Sequence, residues 1–267
     1  MNALAQVQSC VRGRPAGVPA ARKVHGTPGK RRLVWRAAAV ASAAAVLAGC
    51  APLQAPDRAL PVGRANLVLP AGPWAALEVS NEVLPLWPDP VSTVPLQTRV
   101  VGLRGTDQQW LALFWVQTNN SNSPRPTTLW TGTRCPQQRG TLVEDVAQGS
   151  PVRIDCLRFK RWAASGQWLD KNEPLLVQWL AQHQVVPSAP YSHLNYRYAT
   201  LGGAYVQVQA LVDQRLLTPD TRNNEEFLRS GQPAYAWIHQ VAQAARQSTA
   251  DLNGTLPLPP FPIDFPF

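Results

Sequence analysis

From Trp74 onward, apolar and polar positions fall into short runs of strand period separated by turn-forming residues. Strands are predicted over Trp74 to Ser80, Thr98 to Arg104, Gln109 to Thr118, Thr127 to Cys135 and Val152 to Phe159. Within the third, "WLALFWVQ" is apolar at successive positions, which predicts a central strand covered on both faces. The stretch "TNNSNSPRP" that follows is turn-rich and reads as a loop.

Helical spacing appears later. In "NEPLLVQWLAQH", Asn172 suits an N-cap, Pro174 a first turn, and Leu175, Leu176, Trp179 and Leu180 one apolar face. A short helix is predicted around Glu225 to Leu228. A longer one runs from Pro233 to about Gln247, with Tyr235, Trp237, Ile238, Val241, Ala244 and Ala245 on the side that should pack on the sheet.

Between the helical segments, "SHLNYRYATLGGAYVQVQALVD" reads as a hairpin. Leu194, Tyr196 and Tyr198 share a face with Val206, Val208 and Ala210 only if the loop has an odd length, Leu201-Gly202-Gly203, instead of a two-residue Gly-Gly turn. His193, Asn195, Arg197, Gln207 and Gln209 then lie together on the opposite face. The simplest expectation for such a strip is a solvated sheet face. Its amides and single guanidinium also suit an anionic or hydroxyl-rich partner.

The chain ends "LPLPPFPIDFPF", which predicts polyproline II. Strands in succession with few and late helices indicate α+β: a mainly antiparallel sheet with two or three helices packed on it. The expected organisation is a leader over 1–49, a Cys50-led tether to 64, one domain over 65–250 and a Pro-rich tail over 251–267.

Composition changes the picture mainly by what it removes. The chain has 25 Lys+Arg against 16 Asp+Glu, a formal net charge of +9. Eight of the basic residues and none of the acids precede Cys50, so the remainder is nearly balanced at 17 against 16. The basic excess therefore belongs to the N-terminal segment, and a nucleic-acid partner is not expected.

That segment has the order of an export signal. Lys30, Arg31, Arg32 and Arg36 precede an apolar run from Ala37 to Ala48, shorter than the ~20 residues of a spanning helix. At its end, Leu47-Ala48-Gly49-Cys50 resembles the lipobox of bacterial lipoproteins. The resemblance covers the leader alone. It implies cleavage before Cys50, acylation of that cysteine, and a periplasm-facing protein held in the membrane by its acyl chains. Ala51 in the following position, where Asp marks inner-membrane retention in enterobacteria, favours the outer membrane. Arg31-Arg32 is followed by Leu33-Val34-Trp35, a poor match to twin-arginine signals, so the general secretory route is expected. Residues 1–29 read as a mis-set start or an extended leader.

In an oxidising compartment the two other cysteines of the exported part, Cys135 and Cys156, are expected to form a disulfide, contributing ~3 kcal/mol by the chain-entropy model.

No GxSxG, SxxK, HExxH, phosphate-loop or calcium-loop pattern is present, and neither a metal nor a cofactor is predicted. Trp110, Trp115, Trp179 and Trp237 fall in apolar patterns and read as core. Trp162 and Trp168 flank "AASGQ", where an exposed ring would stack on a sugar or hold a partner. The chain thus reads as an envelope lipoprotein whose domain binds a protein, glycan or other ligand, with a role expected in envelope assembly or maintenance. The alternative is a small hydrolase or sugar-processing enzyme with His193, Arg197 and Asp213 converging beside the hairpin.

Changing Cys50 to Ser should abolish incorporation of labelled palmitate and release the protein from the membrane fraction. Palmitate in the Cys50→Ser protein would overturn the lipobox reading.

Overall fold

The computed structural model describes residues 59–85, 93–120, 135–150, 153–219, 221, 223, 225–226, 232–250 and 254–264. The leader, Cys50, the first tether residues and the strand expected over Thr127 to Cys135, apart from Cys135, lie outside them. So does most of the short helix expected near Glu225. Among the described residues no helix is long and apolar enough to cross a membrane.

The architecture is α+β and mainly antiparallel. Strands β1 (Ala59–Val62) and β2 (Ala65–Val68) open the fold, followed by β3 (Trp74–Pro85), β4 (Thr93–Arg104), β5 (Trp110–Asn119), β6 (Leu142–Asp145) and β7 (Ile154–Lys160). Helices α1 (Trp168–Asn172) and α2 (Pro174–Gln182) precede the hairpin β8 (Tyr191–Ala199) and β9 (Tyr205–Asp213). Then come α3 (Gln214–Leu217), α4 (Pro233–Ala250) and β10 (Thr255–Pro257). Strands β3 to β9 form one seven-stranded sheet in the order β3-β4-β5-β9-β8-β7-β6, so the meander β6 to β9 joins the meander β3 to β5 by pairing its last strand, β9, with β5.

The hairpin has the expected register: Leu194 faces Ala210, Tyr196 faces Val208 and Tyr198 faces Val206. Thr200 N donates to Ala204 O at 2.9 Å, which leaves Leu201-Gly202-Gly203 as the odd loop. Strand β5 is central, with Trp110 to Val116 all buried. Its even positions, Ala112, Phe114 and Val116, join Tyr196, Val206, Val208 and the apolar side of α4 in the larger core. Its odd positions, Leu113 and Trp115, join Leu211, Val100 and the residues of α1 and α2 in a second core. Sequence periodicity therefore assigned both faces of β5 to burial, and two separate helical layers cover them.

On the larger-core side, Asp155 is almost completely buried but satisfied. Tyr196 donates its hydroxyl to it at 2.9 Å, Arg246 of α4 reaches it at 3.3 Å, and Arg153 pairs with it at 3.7 Å. Burial and the adjacent Asp155 charge together push the Tyr196 hydroxyl strongly up, so it stays a donor. At one end of the opposite face, Cys135 and Cys156 form the expected disulfide, with Cα atoms 5.4 Å apart, in a small cluster with Leu96, Ile154 and Tyr205.

Both chain ends of the domain differ from expectation. The tether is expected to reach residue 64, yet Ala59–Val62 is already a strand paired with β2. The tail is not solvated polyproline: Thr255–Pro257 pairs in parallel with β2, with Leu256 opposite Leu67. Gly254 permits the entry, because at its φ of +59° it passes so close to Arg64 that a Cβ would lie 2.3 Å from the Arg64 carbonyl. Pro257 is tolerated because β10 is an edge strand. Phe261 then stacks on Trp237 at 5.4 Å and on Trp74 at 6.4 Å. Proline density in the sequence masks the alternate Leu256 and Leu258, both buried.

Leu256→Ala should lower unfolding free energy by ~2–5 kcal/mol in urea titrations, as truncation of a fully buried leucine does. A tail lying in solvent would tolerate the change within ~0.5 kcal/mol.

Candidate functional site

The register that buries Tyr196 and Val208 carries His193, Asn195, Arg197, Gln207 and Gln209 together on the other face of the hairpin. Pairing with β5 and β7 extends that strip into two rungs across the sheet. One contains Arg158, Asn195, Gln209 and Trp115; the other contains Cys156, Arg197, Gln207, Gln117 and Thr98. The expectation of a solvated face is corrected here. His193 is 1% exposed and Asn195 3%, and the remaining members of the strip are partly buried.

The cover is the α1–α2 segment. Gln167 enters α1 in the left-handed region, φ 56°, and Trp168 and Leu169 turn inward. Asn172 is not the N-cap expected of it: it ends α1 and donates its side-chain amide to Trp168 O at 2.7 Å. The N-cap is Glu173, ahead of Pro174 at the first helical position. Leu176 and Leu180 face the second core, whereas Leu175, expected on the same face, is 80% exposed. Trp179 is half-buried, edge-on to Trp115 at 5.1 Å and stacked on His183 at 4.1 Å. Its indole N–H donates to Glu78 of β3, which also meets His183 at 3.3 Å. These contacts tie α2 to the far edge of the sheet.

With its side chain free of capping, Glu173 reaches under the helix. It pairs with Arg158 at 3.4 Å and accepts from Gln209 Nε2 at 3.2 Å. The second amide hydrogen of Gln209 meets His193 Nε2 at 3.0 Å. An amide N–H there requires a lone pair on Nε2, so the imidazole is neutral. Burial, then the Arg158 charge, lowers the His193 pKa from 6.5 to about 3. The Arg158 guanidinium is itself pushed down and the Glu173 carboxyl pushed up, both chiefly by burial, against their mutual attraction.

Beside this network, between α2 and strands β3, β4, β5 and β9, lies a groove of about 370 Å³. Its walls include Trp115, Trp179, Gln117, Gln209, Thr98 and Glu82. Glu82 accepts from Thr98 at 3.2 Å and from Gln117 at 3.1 Å. Gln207, also in the wall, accepts from Tyr205 at 2.7 Å and donates to Asn195 at 3.3 Å. The buried Trp115 Nε1 has no hydrogen-bond partner among the described residues. A recess of this size, with aromatic and apolar walls and a few convergent polar groups, has the make-up of a small-ligand site.

The other predicted site residues do not converge there. Trp168 is buried with its ring 5.4 Å from that of His193, so it is core and not an exposed platform. Trp162 is 49% exposed and lies near Arg161. Arg197 shares the sheet face but does not line the groove, opposite Cys156 on β7. Asp213 is engaged by Ser188 at 2.5 Å and Arg215 at 2.7 Å. The carboxylate that joins the histidine network is Glu173 instead. Among the described residues no cluster of three or more His, Cys, Asp or Glu side chains could hold a metal ion.

Sequence reasoning missed Glu82, Thr98, Gln117, Arg158 and Glu173. Thr98 and Gln117 were visible only as polar positions in apolar strands, and nothing local indicated that β5 pairs with β9.

The folded-state pKa of His193 lies below its unfolded value, so its contribution to stability is full above pH ~6.5 and is lost as pH falls toward ~3. Glu173, whose pKa is raised, acts in the opposite sense: its burial costs least when it is protonated. Between pH 7 and pH 4.5, His193→Gln should lose about 3 kcal/mol less stability than wild type, from roughly two pKa units at 1.36 kcal/mol each. Urea unfolding at the two pH values measures the difference, and parallel losses would exclude a buried neutral His193.

Comparison with known proteins brings no family to this geometry: no family model matches the chain, and neither the curated proteins nor the solved structures contain a match.

Proposed function

We propose that this chain is a lipid-anchored bacterial envelope protein whose periplasm-facing domain is a binding module, taking its ligand in the groove between α2 and the sheet. The groove is the observation that carries the reading: it combines two indoles, three glutamine amides and a carboxylate in one recess. The lipobox-like Leu47-Ala48-Gly49-Cys50 supplies the anchor. Acyl chains on Cys50 would hold the domain at the outer membrane, and the strand beginning at Ala59 sets its reach. Residues 51–58 span at most about 30 Å even when fully extended. The domain would thus work close to the membrane surface, in a role in envelope assembly or maintenance.

The test uses the full chain, purified in detergent, in thermal melts with the small-molecule and glycan fraction of an envelope extract. A ligand at a hundred times its Kd adds ~2.7 kcal/mol and raises Tm by roughly 5–10 °C for a domain of this size. Wild type should show that shift and Gln117→Ala should lose most of it. Equal shifts in both proteins, or none in either, would overturn the groove as a binding site.

A further inference from the structure

We infer that the groove takes a neutral saccharide, a ligand class that rests on the binding role proposed above. Three features of the wall select it. First, the unfilled hydrogen-bonding capacity is mostly acceptor. Gln117 and Gln209 spend their amide N–H groups on Glu82, Thr98, Glu173 and His193. Their carbonyl oxygens accept from no described residue. Each Glu82 oxygen accepts one described bond and has room for another. Hydroxyl groups are the complement to such a row.

Second, the charge around the groove is balanced. Among the described residues Glu82 is the only ionisable side chain in its wall, and Glu173 lies behind it with two guanidinium groups, Arg158 and Arg197, acting on the same network. An anion finds no cation among the described residues of the wall. An ammonium group would meet one carboxylate, but also the field of two arginines. A neutral polyhydroxyl ligand incurs neither penalty.

Third, the apolar part of the wall is aromatic. Trp115 and Trp179 pack edge to face, His183 covers one face of Trp179, and Leu176 closes the floor. Aromatic rings attract the polarised C–H groups of a sugar ring, so the half-exposed Trp179 suits the ring while the amide carbonyls accept its hydroxyls.

The experiment is calorimetric titration of the full chain in detergent with chitotriose, cellotriose and maltotriose, followed in parallel by tryptophan fluorescence. Choline chloride, spermidine and sodium phosphate serve as the cationic and anionic probes. At least one sugar should bind and perturb the fluorescence. Gln117→Leu and Trp179→Leu should each weaken it by about tenfold or more, while Trp179→Phe, which keeps a ring, should retain binding. Binding of choline, spermidine or phosphate with no sugar bound would overturn the ligand class. So would sugar binding that all three variants share with wild type, since it would lie outside the groove. If no sugar binds but the envelope fraction still protects wild type and not Gln117→Ala, the saccharide inference fails and the binding role stands. If both fail, the binding role fails too.

Discussion

The pairing of β5 with β9 is the constraint on which the rest of the molecule depends. It joins segments roughly ninety residues apart, closes the N-terminal and C-terminal meanders into one sheet, and sets Trp115 opposite Gln209 and Gln117 opposite Gln207. Because side chains alternate with a period of two, a one-residue slip would exchange the two faces of the hairpin. Tyr196, Val206 and Val208 would lose α4, and the amide strip would be driven into the larger core. One register therefore specifies the hydrophobic layer and the polar layer together.

The polar layer has a second requirement, because a row of amides and guanidinium groups under a helix is costly unless each group is partnered. The α1–α2 segment answers this with one side chain. Glu173, freed from capping α2, takes the Arg158 charge and one hydrogen of Gln209, and Gln209 passes its other hydrogen to His193. Removing one member leaves the others buried and unpaired, whereas the complete network orients Gln209 with its carbonyl unclaimed beside the groove. The packing problem and the exposed recognition chemistry are thus solved by the same bonds.

The apolar surroundings work in the same direction. Trp168 and Leu169 seal the histidine side of the network, while Trp179 is held over β3 by Glu78 and His183. Leu175 remains exposed at the rim of the groove. The disulfide fastens Cys135 to β7 at the end of this face where Leu96, Ile154 and Tyr205 form their own small cluster. The sheet beneath and a short two-helix cover above leave the recess between them.

Features that depend on neighbours along the chain are legible in the residues alone. Strand and helix type, the odd hairpin loop, the core positions of α4 and the shared face of His193, Asn195, Arg197, Gln207 and Gln209 all follow from local periodicity. The disulfide followed from cysteine number and compartment. The surroundings of that face depend on the tertiary fold, because Arg158, Gln117, Thr98 and Glu82 come from four different strands, Glu173 comes from the junction of α1 and α2, and no local period links them. Only the tertiary fold decided that the proline-rich tail is a docked strand, since Leu256 and Leu258 are buried by β2, a partner almost the whole domain away in sequence. Local pattern encodes which way a side chain points; what it meets there depends on long-range pairing, whose closure entropy is offset only by the assembled fold.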